Sequence, residues 1–405
     1  MKRVLIVTWY FAPSSRMGAK RYGFMCKYFE ENGYEAYVVT VPISTISDGD
    51  VRTGLQIPLS LEHIIEVNFY KDKMYFTSAI LKLFKILKLH SRTIEPTHFW
   101  LGNAKKTISI TQLREIGFDA VIGSYGPMVD LYIARYLAEK LNCKYIVDIR
   151  DLISDYNEKL PQGHRWASRL DYMIEKMLIN PADGIITVNP QLTKDMHKRY
   201  PQKNIVTVYN GWDGECTSYS DHVTDRYLYF AGTMYEYMID SLIILFKAMK
   251  IVNERENIKM IIRCVGAQSA KVKQIIRKMK IKNIVSSLPP VSENIVNEER
   301  RKSYINVVLN SINKEDYEAM VAIPGKTYEY MHEKAPVLAV SLEKSKLAKV
   351  LQYTDKGIGT DKESEMVDFI LNADGKYKGN NNVLKFSRKY QAAKLCRFMD
   401  KIIEN

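Results

Sequence analysis

Short, nearly unbroken apolar runs alternate with helical segments along almost the whole chain, and no other feature limits the possible folds as strongly. Residues 4–8, 36–41, 120–124, 145–148, 184–188 and 205–208 read as strands. Helical patterns separate most of them, at 18–31, 128–141, 166–178 and 191–198. A strand with one wet face alternates apolar and polar residues, whereas a strand apolar throughout is buried on both faces. That requires parallel sheets with helices on either side. A second series follows, with strands at 227–231, 259–265, 284–286, 307–309 and 357–360 and helices at 240–252 and 270–280. The expected fold class is α/β, with two Rossmann-like doubly wound domains.

A chain of 405 residues exceeds what one core usually supports. The expected division is 1–213, then 214–382 after a polar linker that starts at Gly214, then a helix at 383–405 able to cross back onto the first domain. With 46% hydrophobic and 26% charged residues, the chain has the balance of a globular protein. Its five cysteines are odd in number and scattered, which fits a reducing cytoplasm better than a disulfide scaffold or a zinc site. The seven histidines show no ligand spacing, so no metal is expected. Asp48-Gly49-Asp50 spells a metal-holding D-x-D, but among Ser44, Ser47 and Gly54 it reads as a turn. The apolar run at 4–12 is short and lacks a cleavage site, so it reads as a buried first strand and not a signal peptide. No run of about 18 apolar residues is present to span a membrane. Nucleophile-elbow, Walker and G-x-G-x-x-G patterns are absent from the sequence.

The net charge of +13 is concentrated between Tyr70 and Lys106, where Lys71, Lys73, Lys82, Lys85, Lys88, Arg92, Lys105 and Lys106 meet only Asp72 and Glu95. On a helix, Ala79, Ile80, Leu83, Phe84, Ile86 and Leu87 share a face opposite Lys82, Lys85 and Lys88. Such a helix lies on an anionic membrane surface or covers a core with its lysines in water. Nucleic acid is not the expected partner, because no recognition motif accompanies the charge.

The densest local signal is Pro324-Gly325-Lys326-Thr327-Tyr328-Glu329-Tyr330-Met331 running through Pro336 into Val337-Leu338-Ala339-Val340. A glycine turn, a short helix and a buried strand in that order suit a ligand pocket at the carboxyl edge of a sheet.

Further segments stand in a consistent order. They are Phe11-Ala12-Pro13 through Gly18 and Arg21, Thr97-His98-Phe99-Trp100, Ser124-Tyr125-Gly126-Pro127 and Val147-Asp148-Ile149-Arg150-Asp151. Ala182-Asp183-Gly184, Val208-Tyr209-Asn210-Gly211 and Ala231-Gly232-Thr233 follow, and then the stretch around Lys326. Together they resemble the retaining glycosyltransferases of family 4, which have the two-Rossmann-domain GT-B fold with a cleft between the domains. The resemblance covers nearly the whole chain. It implies transfer of a sugar, with retention, from a nucleotide diphosphate sugar to a glycan or lipid-linked acceptor, with a uridine diphosphate sugar the expected donor substrate. It places the nucleotide sugar mainly on the C-terminal domain and the acceptor on the N-terminal one, and calls for no cofactor or metal. The expected location is the cytoplasm, peripheral on the inner face of the membrane. A nucleotide-sugar epimerase of the same fold, or a non-catalytic relative that binds glycan or a partner transferase, are the alternatives.

That chemistry needs a cradle for the diphosphate, which backbone amides at glycine turns provide, and Gly18 with Gly232 and Thr233 suit it. Lys326 can add positive charge as the leaving oxygen gains negative charge. By resemblance, Glu329 matches the carboxylate that grips the ribose hydroxyls, and Arg21 belongs to the first glycine-containing loop. Asp148, Arg150 and Asp151 stand at a strand end near the expected sugar, Arg150 at the place of a family histidine and either aspartate available as a base. An ion cluster capping the next helix is the structural alternative for these three. The sequence departs from the family pattern at Val321, where many members have a first glutamate.

Overall fold

The structure is a computed structural model that describes residues 1–14, 17–46, 57–69, 95–154, 162–214, 226–266 and 268–404. Contacts divide it into two units, Met1–Tyr209 with Arg388–Asn405, and Asn210–Ser387.

The first unit holds a parallel sheet of seven strands: β1 (Lys2–Val7), β2 (Tyr34–Thr40), β3 (Ile64–Glu66), β4 (Ala120–Ser124), β5 (Lys144–Ile149), β6 (Gly184–Thr187) and β7 (Asn204–Thr207). Their order is β3-β2-β1-β4-β5-β6-β7. The second unit holds six parallel strands: β8 (Tyr227–Thr233), β9 (Lys259–Val265), β10 (Val285–Leu288), β11 (Ile305–Leu309), β12 (Val337–Val340) and β13 (Gly357–Thr360). Their order is β10-β9-β8-β11-β12-β13. Both are doubly wound α/β sheets whose order reverses once, between β1 and β4 and between β8 and β11. The carboxyl ends at such a reversal are where open α/β sheets hold ligands, because the crossover helices depart to opposite faces and leave a crevice.

The central strands are apolar for the reason read from the sequence: Val4, Leu5, Ile6 and Val7, and Val337 to Val340, are fully buried. Each sheet has its own core, built around Val121, Leu131, Val147 and Ile185 in the first unit and around Leu228, Ile262, Val307 and Val340 in the second. On the other face of the first sheet, the C-terminal helix Arg388–Ile403 buries Ala392, Leu395, Cys396, Met399 and Ile402 beside Val4, Ile6 and Ile122. Gly184 allows this approach, since a Cβ there would lie 2.9 Å from Phe398 Cζ.

Several elements differ from the sequence-based expectation. The helix read at 383–405 is two elements, a 3-10 stretch Asn381–Phe386 and the helix from Arg388, because the extended backbone at Ser387 separates them. The first helix covers Met17–Met25 and continues as 3-10 turns that Gly33 closes at a φ of +81°. Between residues 41 and 120, where the sequence reading places no strand, the structure has β3 and the helices Phe99–Thr107 and Ile110–Ile116. Trp100 there is core: fully buried, with its indole N–H donating to the Val67 carbonyl at 2.9 Å. The helices Glu293–Lys302, Lys346–Thr354 and Glu363–Asn372 also carry no label in the sequence reading. Glu293–Lys302 is almost wholly polar, so its pattern offers little periodicity to read.

Asp48-Gly49-Asp50, the lysine-rich helix expected at 79–89 and most of the linker lie outside the described residues. Among the described residues no helix is long and apolar enough to cross a membrane.

Candidate functional site

In the second unit the geometry gathers the predicted residues at the sheet reversal. Gly232 and Thr233 are the last two residues of β8, not a turn beyond it, and Thr233 is exposed. The helix Gly325–Met331 lies in the crossover from β11, the neighbour of β8, to β12. From its first turn Lys326 reaches back, its ammonium donating to the Ala231 carbonyl at 2.9 Å and sitting 3.9 Å from the centroid of the Phe230 ring. Gly232 makes room for it: its φ is +139°, and a Cβ there would stand 2.7 Å from Lys326 Nζ. Glycine is the residue that meets both demands at low cost. Burial pulls the Lys326 pKa down to about 8, with Glu329 opposing part of that shift. This ammonium is thus poorly solvated at a strand end, the setting in which it gains most from an anionic ligand.

Glu329 follows on the same short helix, with Oε2 3.4 Å from Arg300 Nη1. Arg300 is itself buried and donates from Nε to Glu333 Oε1 at 2.9 Å. Its guanidinium therefore braces two carboxylates on consecutive turns and sets where Glu329 points. Sequence reasoning passed over Arg300, since Glu-Glu-Arg-Arg-Lys reads as a solvated helix face and nothing local reveals a partner 29 residues on. Val321 ends the helix Tyr317–Val321, and its apolar side chain is buried.

In the first unit the predicted residues divide into two groups. Arg21 and Asp148 form a buried bidentate pair, with Nε to Oδ2 at 2.6 Å and Nη2 to Oδ1 at 2.9 Å, and Arg21 Nη1 donates to the Val208 carbonyl at 3.0 Å. With 1% and 0% exposure for the two side chains, this pair ties the first helix to β5 and to the end of the sheet. Asp148 therefore has a bracing task, and of the two aspartates only Asp151 is exposed. Arg150 lies just past β5. It donates from Nε to the Tyr125 carbonyl at 2.7 Å and from Nη2 to the Gly126 carbonyl at 2.9 Å. A Cβ at Gly18 would stand 2.2 Å from Arg150 Nη1, and one at Gly126 2.6 Å from Nη2. Gly18, in the first turn of its helix, thus makes room for the guanidinium. The described helix that follows β5 is Gln162–Ile179, and residues 151–154 carry no helix.

Asp130 is a further buried group that the sequence did not single out. It is fully buried in the first turn of the helix Val129–Leu141 and accepts the Trp9 backbone N–H at 2.9 Å. Burial holds its carboxyl well above the ordinary range. In sequence it passes for a routine acidic residue at a helix start. Among the described residues no group of three or more His, Cys, Asp or Glu side chains could hold a metal ion.

No protein-family profile and no curated protein matches this sequence. Solved structures do. A glycosyltransferase from Rickettsia africae ESF-5 superposes with a TM-score of 0.63 at 14% identity, covering 100% of this chain and 99% of that one. A mutant of TarM from S. aureus, in complex with fondaparinux, alpha-GlcNAc-glycerol and UDP, gives 0.58 at 12% identity, covering 100% and 98%. UDP-GlcNAc 2-epimerase from Methanocaldococcus jannaschii gives 0.52 at 10% identity, covering 99% and 100%. The chain has the two-domain Rossmann-like fold of these proteins, the GT-B architecture. At such identities the likeness speaks for the fold alone.

Proposed function

We propose that this protein is a retaining, family 4-like glycosyltransferase that moves a sugar from a nucleotide diphosphate sugar to a hydroxyl of a glycan or lipid-linked acceptor in cell-surface polysaccharide synthesis. The observation that carries the proposal is the seating of Lys326 over Gly232 at the end of β8, with Glu329 held on the next turn by Arg300. A diphosphate at this strand end meets a poorly solvated cation, and a ribose one helical turn away meets a positioned carboxylate. Lys326 then stabilises the negative charge that grows on the leaving phosphate oxygen as the glycosidic bond breaks. The scheme calls for no metal. Full-length structural likeness to a glycosyltransferase and to TarM with UDP supports the same reading and favours a uridine nucleotide. We place Arg150 and Asp151 toward the transferred sugar, and the protein in the cytoplasm at the membrane face, where a lipid-linked acceptor would be presented.

The likeness to UDP-GlcNAc 2-epimerases supports a second reading, epimerisation of the same kind of substrate. Incubation with a panel of nucleotide sugars separates the two. Release of nucleoside diphosphate only when an acceptor is added supports transfer, and the anomeric configuration of the product reports retention. An altered sugar formed without acceptor, still on the nucleotide or released from it, supports epimerisation. Binding without turnover indicates a non-catalytic relative. A Glu329→Ala variant with full affinity and full activity would sink the transferase proposal.

A further inference from the structure

The C-terminal helix and the edge strand β7 enclose a groove of about 340 Å³ in the first unit, lined by Asn204, Ile205, Val206, Lys394, Arg397, Phe398 and Lys401. Lys394, Arg397 and Lys401 recur at a spacing of three and four residues, which puts them on one stripe of the helix above an apolar floor of Ile205, Val206 and Phe398. The groove lining contains no carboxylate. The two acids nearest on the helix are committed elsewhere: Asp400 accepts from Lys2 at 2.6 Å and from the Tyr34 hydroxyl at 2.8 Å, and Glu404 accepts from Lys2 at 3.0 Å. Among the described residues neither Lys394 nor Arg397 has an ion-pair partner. Lys394 is half-buried next to the exposed Arg397, and with no acid paired to either among the described residues the two charges repel, a cost that an anion in the groove removes.

We infer that this groove is a binding site for the phosphodiester headgroup of an anionic phospholipid, the phosphate between Lys394 and Arg397 and the first methylenes against Ile205, Val206 and Phe398. A free inorganic anion would leave the apolar floor uncovered, whereas a phosphate that carries an alkyl chain matches both halves. The site is separate from the β8 strand end and does not depend on sugar transfer.

The test uses the full-length protein and dihexanoyl phosphatidylglycerol below its micelle concentration, read by calorimetry and by amide hydrogen exchange. The expected result is saturable binding with slower exchange in peptides covering 200–207 and 390–404. Lys394→Glu with Arg397→Glu should weaken it by at least about tenfold, the order expected for losing one charge-assisted hydrogen bond, and Lys394→Arg should retain it. An unchanged melting temperature and unchanged nucleotide affinity in the double variant show that it is folded. Three results would overturn the inference: no protection of these peptides, equal protection by dihexanoyl phosphatidylcholine, or glycerol 3-phosphate binding as well as the lipid.

Discussion

At the scale of single residues, the Arg150 seat of the first unit and the Lys326 seat of the second are built from the same parts, a cation pressed against glycine and held by backbone carbonyls, whereas Arg21 is held by a carboxylate and the Val208 carbonyl. They differ in what the cation is left to do. Arg21 is fully engaged by Asp148, so Asp148→Asn leaves a buried guanidinium without its counter-charge and should destabilise the fold by about 3–5 kcal/mol in urea denaturation. Asp151→Asn, on an exposed side chain, should leave stability unchanged and act only on turnover. Lys326 sits at the end of β8, and Lys326→Met should lower turnover by about 100-fold or more at unchanged stability. Its pH behaviour follows from a pKa of about 8 against the ordinary 10.5. Below about 8 the folded protein holds the charged ammonium in a poorly solvating site, and the resulting loss of stability is fully present there. As pH rises from 8 to 10.5 the folded state gives up the proton first, so that loss is relieved. Affinity for UDP should run the other way and fall as pH rises through about 8, a dependence that Lys326→Arg should remove when measured by calorimetry.

Among the elements, the short helix Gly325–Met331 and the helix Arg388–Ile403 depend on close approaches that one methyl group would disturb. Gly232→Ala forces an L side chain into a φ of +139° under the Lys326 ammonium. It should cost about 1–3 kcal/mol and weaken UDP binding together. Gly184→Ala would drive a Cβ against the Phe398 ring and Ile402. An aromatic ring packed on a sheet cannot swing aside, so overpacking of about 1–3 kcal/mol is expected, with faster amide exchange along the C-terminal helix.

For the molecule as a whole, the second unit is a self-contained insertion between Tyr209 and Arg388. Its ends run side by side, with the Trp212 N–H donating to the Phe386 carbonyl at 3.1 Å and the indole N–H to the Val383 carbonyl at 3.1 Å. It has its own sheet and core. Residues 210–387 expressed alone should therefore fold cooperatively and bind UDP with an affinity close to that of the full chain. A fragment that folds without binding UDP would show that the nucleotide site needs the first unit as well.

The sequence by itself determined the class of fold and most of the strands, because a strand buried on both faces has to be apolar throughout and that is visible residue by residue. It also singled out Lys326 and Glu329 as candidates, since a glycine turn followed by a charged short helix is a local pattern. It did not reveal that Lys326 reaches Ala231, that Arg300 sets Glu329, that Asp148 is consumed by Arg21, or that among the described residues Lys394 and Arg397 have no paired acid. Those are pairings between residues far apart in the chain. Only the order of the strands and the crossovers between them bring such residues within hydrogen-bond distance, and burial then decides which charges are neutralised and which remain open to a ligand.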